Sequence, residues 1–164
     1  MIVESLEKLF NQQITVENAA STDYLKLAVW CASNGFDGAS KFFFKQSDEE
    51  RGHMLKLVHY LLEREGKVVI EPSKNQEQKI EGIFDVLQAF YHNELNVTKS
   101  VNALVSAATA AGDYGALQFL QWYVQEQHEE ETQARSLIEK ANLIGREGPY
   151  KYLIDQMLAD AAAE

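Results

Sequence analysis

Apolar residues recur at alternating steps of three and four along four long stretches of the chain, the signature of helices that bury one face. The pattern predicts helices over about 5–34, 38–65, 81–111 and 114–143, and a short fifth over about 149–161, in one domain covering 1–164. Asn34-Gly35, Gly66, Gly112-Asp113 and Gly145 are read as stops, Asp37 as the N-cap of the second helix, and Pro149 as a first-turn residue of the last. Strand signals are nearly absent, and the two prolines, Pro72 and Pro149, leave the long stretches free to be helical. The fold class is therefore all-α.

The connectors are unequal. Two are tight turns, but GKVVIEPSKNQEQK, between the second and third helices, is extended in character. About fifteen residues at ~3.3 Å each reach roughly 50 Å. A thirty-residue helix is about 45 Å long. This connector can therefore run the full length of a helical bundle.

The inward stripes carry the chemistry. The fourth helix offers Leu120, Tyr123, Gln127, Glu130, Ala134, Leu137 and Ala141, apolar at both ends and polar in the middle. The third offers Leu87, Phe90, Glu94, Val101, Leu104 and Ala108; the first, Phe10, Ile14, Glu17, Tyr24, Leu27 and Cys31. The second offers Phe43, Ser47, Glu50, His53 or Met54, Leu57 and Leu61. Every long helix thus has an acidic interruption on its core face. The depths agree. Glu17 lies nineteen residues before the turn at Phe36, with Glu50 and His53 fourteen and seventeen after it. Glu94 lies eighteen before Gly112, with Gln127 and Glu130 fifteen and eighteen after. At about 1.5 Å per residue these groups meet at one level, to within a turn or so.

Burying carboxylates together is costly unless they are paired or bind metal. None of the stripes offers Lys or Arg at that level, so a bound metal pair is the simplest compensation. Oxygen ligands with one imidazole suit iron better than a thiolate metal. The formal net charge of −10 argues against direct nucleic-acid binding and suits a cationic partner. The single cysteine, Cys31, has no internal disulfide partner, which fits a reducing cytoplasm. The opening MIVESLEKLF lacks the basic start and apolar run of a signal peptide, and no uncharged apolar run approaches the roughly 20 residues of a membrane span.

Glu50-x-x-His53 puts both side chains on one helix face, half of the ligand pattern of di-iron carboxylate bundles, whose layout also has one long crossover. The fourth helix departs from that pattern: it reads Gln127-x-x-Glu130 rather than Glu-x-x-His, and His128 is one residue out of register. With this departure, the stretches DEERGHM and FLQWYVQEQHEEE closely resemble bacterial non-haem ferritins, and the resemblance extends over essentially the whole chain. It implies a ferroxidase that oxidises Fe(II) with dioxygen or peroxide and stores the product inside a shell of 24 copies. It implies that Glu17, Glu50 and His53 hold a first iron and that Glu50, Glu94 and Glu130 hold a second, with Glu50 bridging. Gln127 would be a hydrogen-bonding neighbour, and Tyr24 would stand behind the ligands as an electron donor. Glu49, Glu126, Glu129 and Glu130 would form a third iron site. On spacing alone, Glu49, Glu126 and Glu129 read as surface residues.

Bacterioferritins usually keep the second Glu-x-x-His and carry a haem-ligating methionine near the position of Gly52, so no haem is expected here. Rubrerythrin-type peroxidases usually carry a Cys-x-x-Cys iron module, which one cysteine does not supply. The DNA-protecting mini-ferritins lack a fifth C-terminal helix. His59, His92 and His128 read as exposed, and Cys31, Trp122 and Tyr123 as packing residues. The fifth stripe, from Tyr150 to Ala161, needs a partner at the end of the bundle or on another subunit.

Overall fold

A computed structural model describes residues 2–72 and 78–164. Its helices are α1 (Glu4–Ser33), α2 (Asp37–Glu63), α3 (Ile83–Ala110), α4 (Tyr114–Ile144) and α5 (Tyr150–Ala163). The first four form the bundle: α1 lies along α2 and α3, and α3 along α4, while α5 sits mainly against α2. The connector between α2 and α3 carries no helix or strand among its described residues. Its first part is tied to α1 by Asn11, whose side chain donates to Lys67 O (2.8 Å) and accepts from Val69 N (2.7 Å). One side-chain amide thus satisfies two backbone groups that have no sheet to join.

Two helix starts, those of α2 and α5, differ from the sequence reading. Asp37 does not cap α2; it is the first helical residue, and the N-cap, Phe36, has no capping side chain. The free N–H groups of Gly38 and Ala39 instead donate to Asp155 of α5, at 3.1 and 2.8 Å. A cap needs only a carboxylate near the exposed N–H groups, and a distant segment can bring one. The α5 backbone comes so close that a Cβ on Gly38 would lie 2.2 Å from Asp155 O. At the other end of α2, Glu65, not Gly66, takes the left-handed conformation (φ 57°), and Gly66 N donates to Leu61 O at 2.8 Å. Gly66 is needed for room, since a Cβ there would meet Leu61 Cδ1 at 2.5 Å. Pro149 is the N-cap of α5 rather than a residue of its first turn.

Asp113 caps α4 by accepting from Ala116 N at 2.9 Å, and it also takes both guanidinium nitrogens of Arg64, at 3.2 and 2.8 Å. This clasp joins the end of the α1–α2 hairpin to the α3–α4 turn. The Arg64 hydrogen bond holds the Asp113 carboxyl below its ordinary range.

The interior has three layers. One apolar cluster gathers Tyr24, Leu27, Phe43, Phe90 and Leu137, and α5 closes it with Ile154 and Leu158. The other gathers Phe10, Ile14, Leu57, Leu61, Leu104 and Leu120 at the opposite end. Between them, on every long helix, the buried residues turn polar: Gln13 and Glu17 on α1, Gln46, Ser47, Glu50 and His53 on α2, Glu94 on α3, Gln127 and Glu130 on α4. The α5 stripe finds its partner at the end of the bundle, although Tyr152 and Leu153 remain exposed.

Candidate metal centre

Helical phase turns the polar residues of each helix inward. Glu17 and Tyr24 are seven residues apart on α1, Glu50 and His53 three apart on α2, and Gln127 and Glu130 three apart on α4, so each pair faces the bundle axis. The α1–α2 and α3–α4 turns set the depth. Glu17, Glu50 and His53 offer ligand atoms within 4.8 Å of one another; so do Glu50, Glu94 and Glu130, and so do His53, Glu126 and Glu130. The three groups overlap. Glu50 belongs to the first two, and His53 joins the first to the third.

The contacts around these groups are asymmetric. His53 Nδ1 lies 2.9 Å from Glu50 Oε2 and 3.8 Å from Glu17 Oε2, while its Nε2 is 3.9 Å from both Glu126 Oε1 and Glu130 Oε1. Tyr24 OH donates to Glu94 Oε1. Gln127 Nε2 donates to Glu94 Oε2 at 2.7 Å and to the Glu94 carbonyl at 3.1 Å. Gln13 Nε2 donates to Glu17 Oε1 at 2.7 Å, and Tyr123 OH donates to the same oxygen. Among the described residues, three buried carboxylate oxygens have no hydrogen-bond partner: Glu17 Oε2, Glu50 Oε1 and Glu130 Oε2. Among the described residues, the ion pairs made by Lys and Arg lie elsewhere, at Lys26–Asp23, Arg64–Asp113 and Lys79–Glu81.

The electrostatics follow from that crowding. Burial, then the charge of Glu50, pushes the Glu94 carboxyl up to about 8. Burial, then Glu50 and Glu94, pushes Glu130 up to about 11. Glu17 is raised well above the ordinary carboxylate range, again by burial first and Glu50 second. Burial and the neighbouring Glu94 hold the Tyr24 phenol well above its usual range. For His53 burial works against the charged form, but the hydrogen bond and charge of Glu50 outweigh it and raise the pKa. Such a layer is the electrostatic complement of a small multivalent cation: oxygen-rich, short of protein cations, and with free lone pairs turned inward.

A family model described as a ferritin-like domain matches residues 7–144. The chain is also 40% identical over 162 residues to the bacterial non-heme ferritin of Campylobacter jejuni, covering 99% of this chain and 97% of that one. The chain belongs to the bacterial non-haem ferritin family. A Haemophilus influenzae protein, described as a probable bacterial non-heme ferritin-like protein, is 36% identical over 164 residues, 100% of this chain and 99% of that one. An open-pore ferritin of the archaeon Archaeoglobus fulgidus superposes with a TM-score of 0.92 at 32% identity, covering 96% of each chain.

This ferritin-family chain brings Glu17, Glu50, His53, Glu94, Gln127 and Glu130 into one buried layer, with Tyr24 touching it through Glu94. Of the residues expected at a third site, Glu126 joins His53 and Glu130. Glu49 and Glu129 fall in none of the three groups: Glu49 is half-buried and accepts from Gln46 (2.7 Å), and Glu129 is exposed and accepts from Gln125 (2.7 Å). Burial and its acidic neighbours raise the Glu49 carboxyl, against the opposing pull of Lys45 and His53. Tyr123 is more than a packing residue, because its hydroxyl reaches Glu17. Gln13 was not foreseen. A glutamine four residues before a buried glutamate on the same helix was the available signal. Cys31 is buried, and burial pushes its thiol up to about 12, which disfavours the thiolate form.

Proposed function

We propose that the chain is an iron-storage ferroxidase whose substrate Fe(II) occupies the overlapping acidic groups of the bundle in pairs. The carrying observation is the set of three inward carboxylate oxygens on Glu17, Glu50 and Glu130 that, among the described residues, have no hydrogen-bond partner and no Lys or Arg paired with them, with His53 in their midst. Glu17, Glu50 and His53 take one Fe(II); Glu50, Glu94 and Glu130 take the other. Glu50 bridges, because it alone belongs to both groups. In the metal-free protein at neutral pH, burial keeps a proton on Glu130 and largely on Glu94, so iron binding releases protons inside the layer.

The two irons each give up one electron. Dioxygen takes both electrons with two protons and becomes hydrogen peroxide; peroxide as oxidant takes the same electrons and protons and becomes two waters. The chain's residues hold the two ions close together, which favours two-electron reduction, and they hold the protons that the oxidant consumes. Tyr24, through its hydroxyl on Glu94, stands where it can supply a further electron. The ferric product leaves by way of a third iron site formed by Glu49, Glu126, Glu129 and Glu130, and mineralises in the cavity of a 24-subunit shell in the cytoplasm. The net charge of −10 draws cations toward it.

Aerobic Fe(II) addition, followed by the near-ultraviolet absorbance of Fe(III), tests the reading. Fast oxidation is expected in the natural sequence, and Glu50→Ala and Glu94→Ala should lose it or slow it strongly. Unchanged rates in both variants reject the site. Size-exclusion chromatography with iron analysis tests the shell.

A further inference from the structure

The terminal carboxylates of the two ligand groups are gripped by the same pair of side-chain types in different ways. On Glu94, Tyr24 OH takes Oε1 and Gln127 Nε2 takes Oε2, so each oxygen accepts one side-chain hydrogen bond and keeps a lone pair. On Glu17, Tyr123 OH and Gln13 Nε2 both converge on Oε1, and Gln13 Nε2 lies 2.9 Å from Tyr123 OH as well. The three groups form a closed triangle. Each carboxylate oxygen has about two acceptor positions, so Oε1 of Glu17 is saturated. Its Oε2 is buried, has no hydrogen-bond partner among the described residues, and lies 3.8 Å from His53 Nδ1.

We propose that Gln13 and Tyr123 are positioning residues that make Glu17 a one-oxygen ligand, while Tyr24 and Gln127 leave Glu94 able to use both oxygens. The inference rests on the two-metal reading of the layer. Its consequence is an intrinsic inequality. The position beside His53 is bounded by a fixed single oxygen of Glu17 and keeps more of its coordination sphere open. The position beside Glu94 can be held more completely. Nothing in the lengths of Glu17 and Glu94 causes this; the difference lies in where two hydroxyls and two amides arrive. Gln13 comes from α1 itself, four residues before Glu17, and Tyr123 sits on α4 four residues before Gln127. One face of α4 therefore supports both carboxylates, Tyr123 under Glu17 and Gln127 under Glu94.

Cobalt(II), which is not oxidised under anaerobic conditions, tests this without any ferroxidase turnover. The intact metal-free protein is titrated with Co(II), and the visible absorption, sensitive to coordination number, is recorded for the natural sequence, Tyr123→Phe, Gln13→Leu and Tyr24→Phe. Tyr123→Phe removes one oxygen atom and Gln13→Leu is close in volume, so both keep the layer filled. Expected in the natural protein are two phases from the paired positions, with uptake at the third site as a separate, later phase. Tyr123→Phe and Gln13→Leu should each weaken one phase by about tenfold or more, the usual consequence of losing a hydrogen bond that orients a ligand. Their absorption should shift as Glu17 becomes free to use both oxygens. Tyr24→Phe should weaken the other phase. A natural protein that takes up no cobalt overturns the two-metal reading, and this inference with it. A natural protein that binds two cobalt ions, with Tyr123→Phe and Gln13→Leu matching it in affinity and spectrum, overturns only the roles of Gln13 and Tyr123. Lower melting temperatures in these variants, with unchanged cobalt spectra, do the same.

Discussion

The apolar ends of the bundle and its acidic middle are made by the same four helices at the same period, yet burial does opposite work in them. Around Phe43 and Phe90, or Phe10 and Leu57, burial removes hydrocarbon from water, worth about 1.5–3 kcal/mol for each large side chain. Around Glu17, Glu50, Glu94 and Glu130, burial removes carboxyl groups from water and leaves three of their oxygens without partners. The ends can therefore hold the middle in a state it would not choose alone. A layer that is unfavourable without cations is, for that reason, ready to take them up. The lesson is that the site is carried by its flanks: the cost falls on one layer and the stabilisation comes from two others.

Substitutions that exchange the character of the layers break the comparison most directly. Phe90→Ala, in a fully buried end position, should cost about 3–5 kcal/mol in denaturant unfolding of the metal-free protein. Glu130→Leu should move stability the other way, by about 1–4 kcal/mol, because it removes a buried carboxyl whose Oε2 has no partner. The same variant should lose rapid Fe(II) oxidation. Destabilisation by Glu130→Leu would show that the middle is not under electrostatic strain.

The pH dependence sharpens the point. Glu94 in the folded chain keeps its proton up to about 8, against an ordinary value of 4.5, and Glu17 and Glu130 are shifted in the same direction. Between those values the folded state binds more protons than the unfolded one, so stability must fall as pH rises. Metal-free protein should lose on the order of a few kcal/mol between about pH 5 and pH 8. A divalent metal, which takes the place of those protons, should cancel the loss; equal denaturation midpoints at both pH values, without metal, would contradict the assignment. A smaller effect separates the two aspartates near the start of α2. Asp155→Ala should cost about 1–2 kcal/mol, read as faster amide exchange in α5 and the first turn of α2. Asp37→Ala, which removes only a charge from that turn, should cost about 0.3–1 kcal/mol.

Much of the site was legible because helical phase is a local property. Every residue placed on the four inward stripes is buried, including Glu17, Glu50, His53, Glu94, Gln127 and Glu130. The common depth followed from counting residues from each turn. Phase and rise leave open which atom of one side chain meets which atom of another. Tyr123 and Trp122 read alike in the sequence. In the fold Trp122 stacks on Tyr123 and lies under the Lys56 ammonium, while the Tyr123 hydroxyl reaches Glu17.

The sequence by itself determined the four amphipathic helices, their reversals near Phe36 and Gly112, and the level at which acidic residues would collect, because a periodicity of three and four and a rise per residue belong to the chain alone. Only the tertiary structure decided that Asp155 rather than Asp37 caps α2, that α5 closes the end of the bundle, and that Glu17 is held by one oxygen while Glu94 is held by two. Those choices depend on distances between groups remote in the chain, to within a fraction of a hydrogen-bond length, and they exist only once the helices have packed.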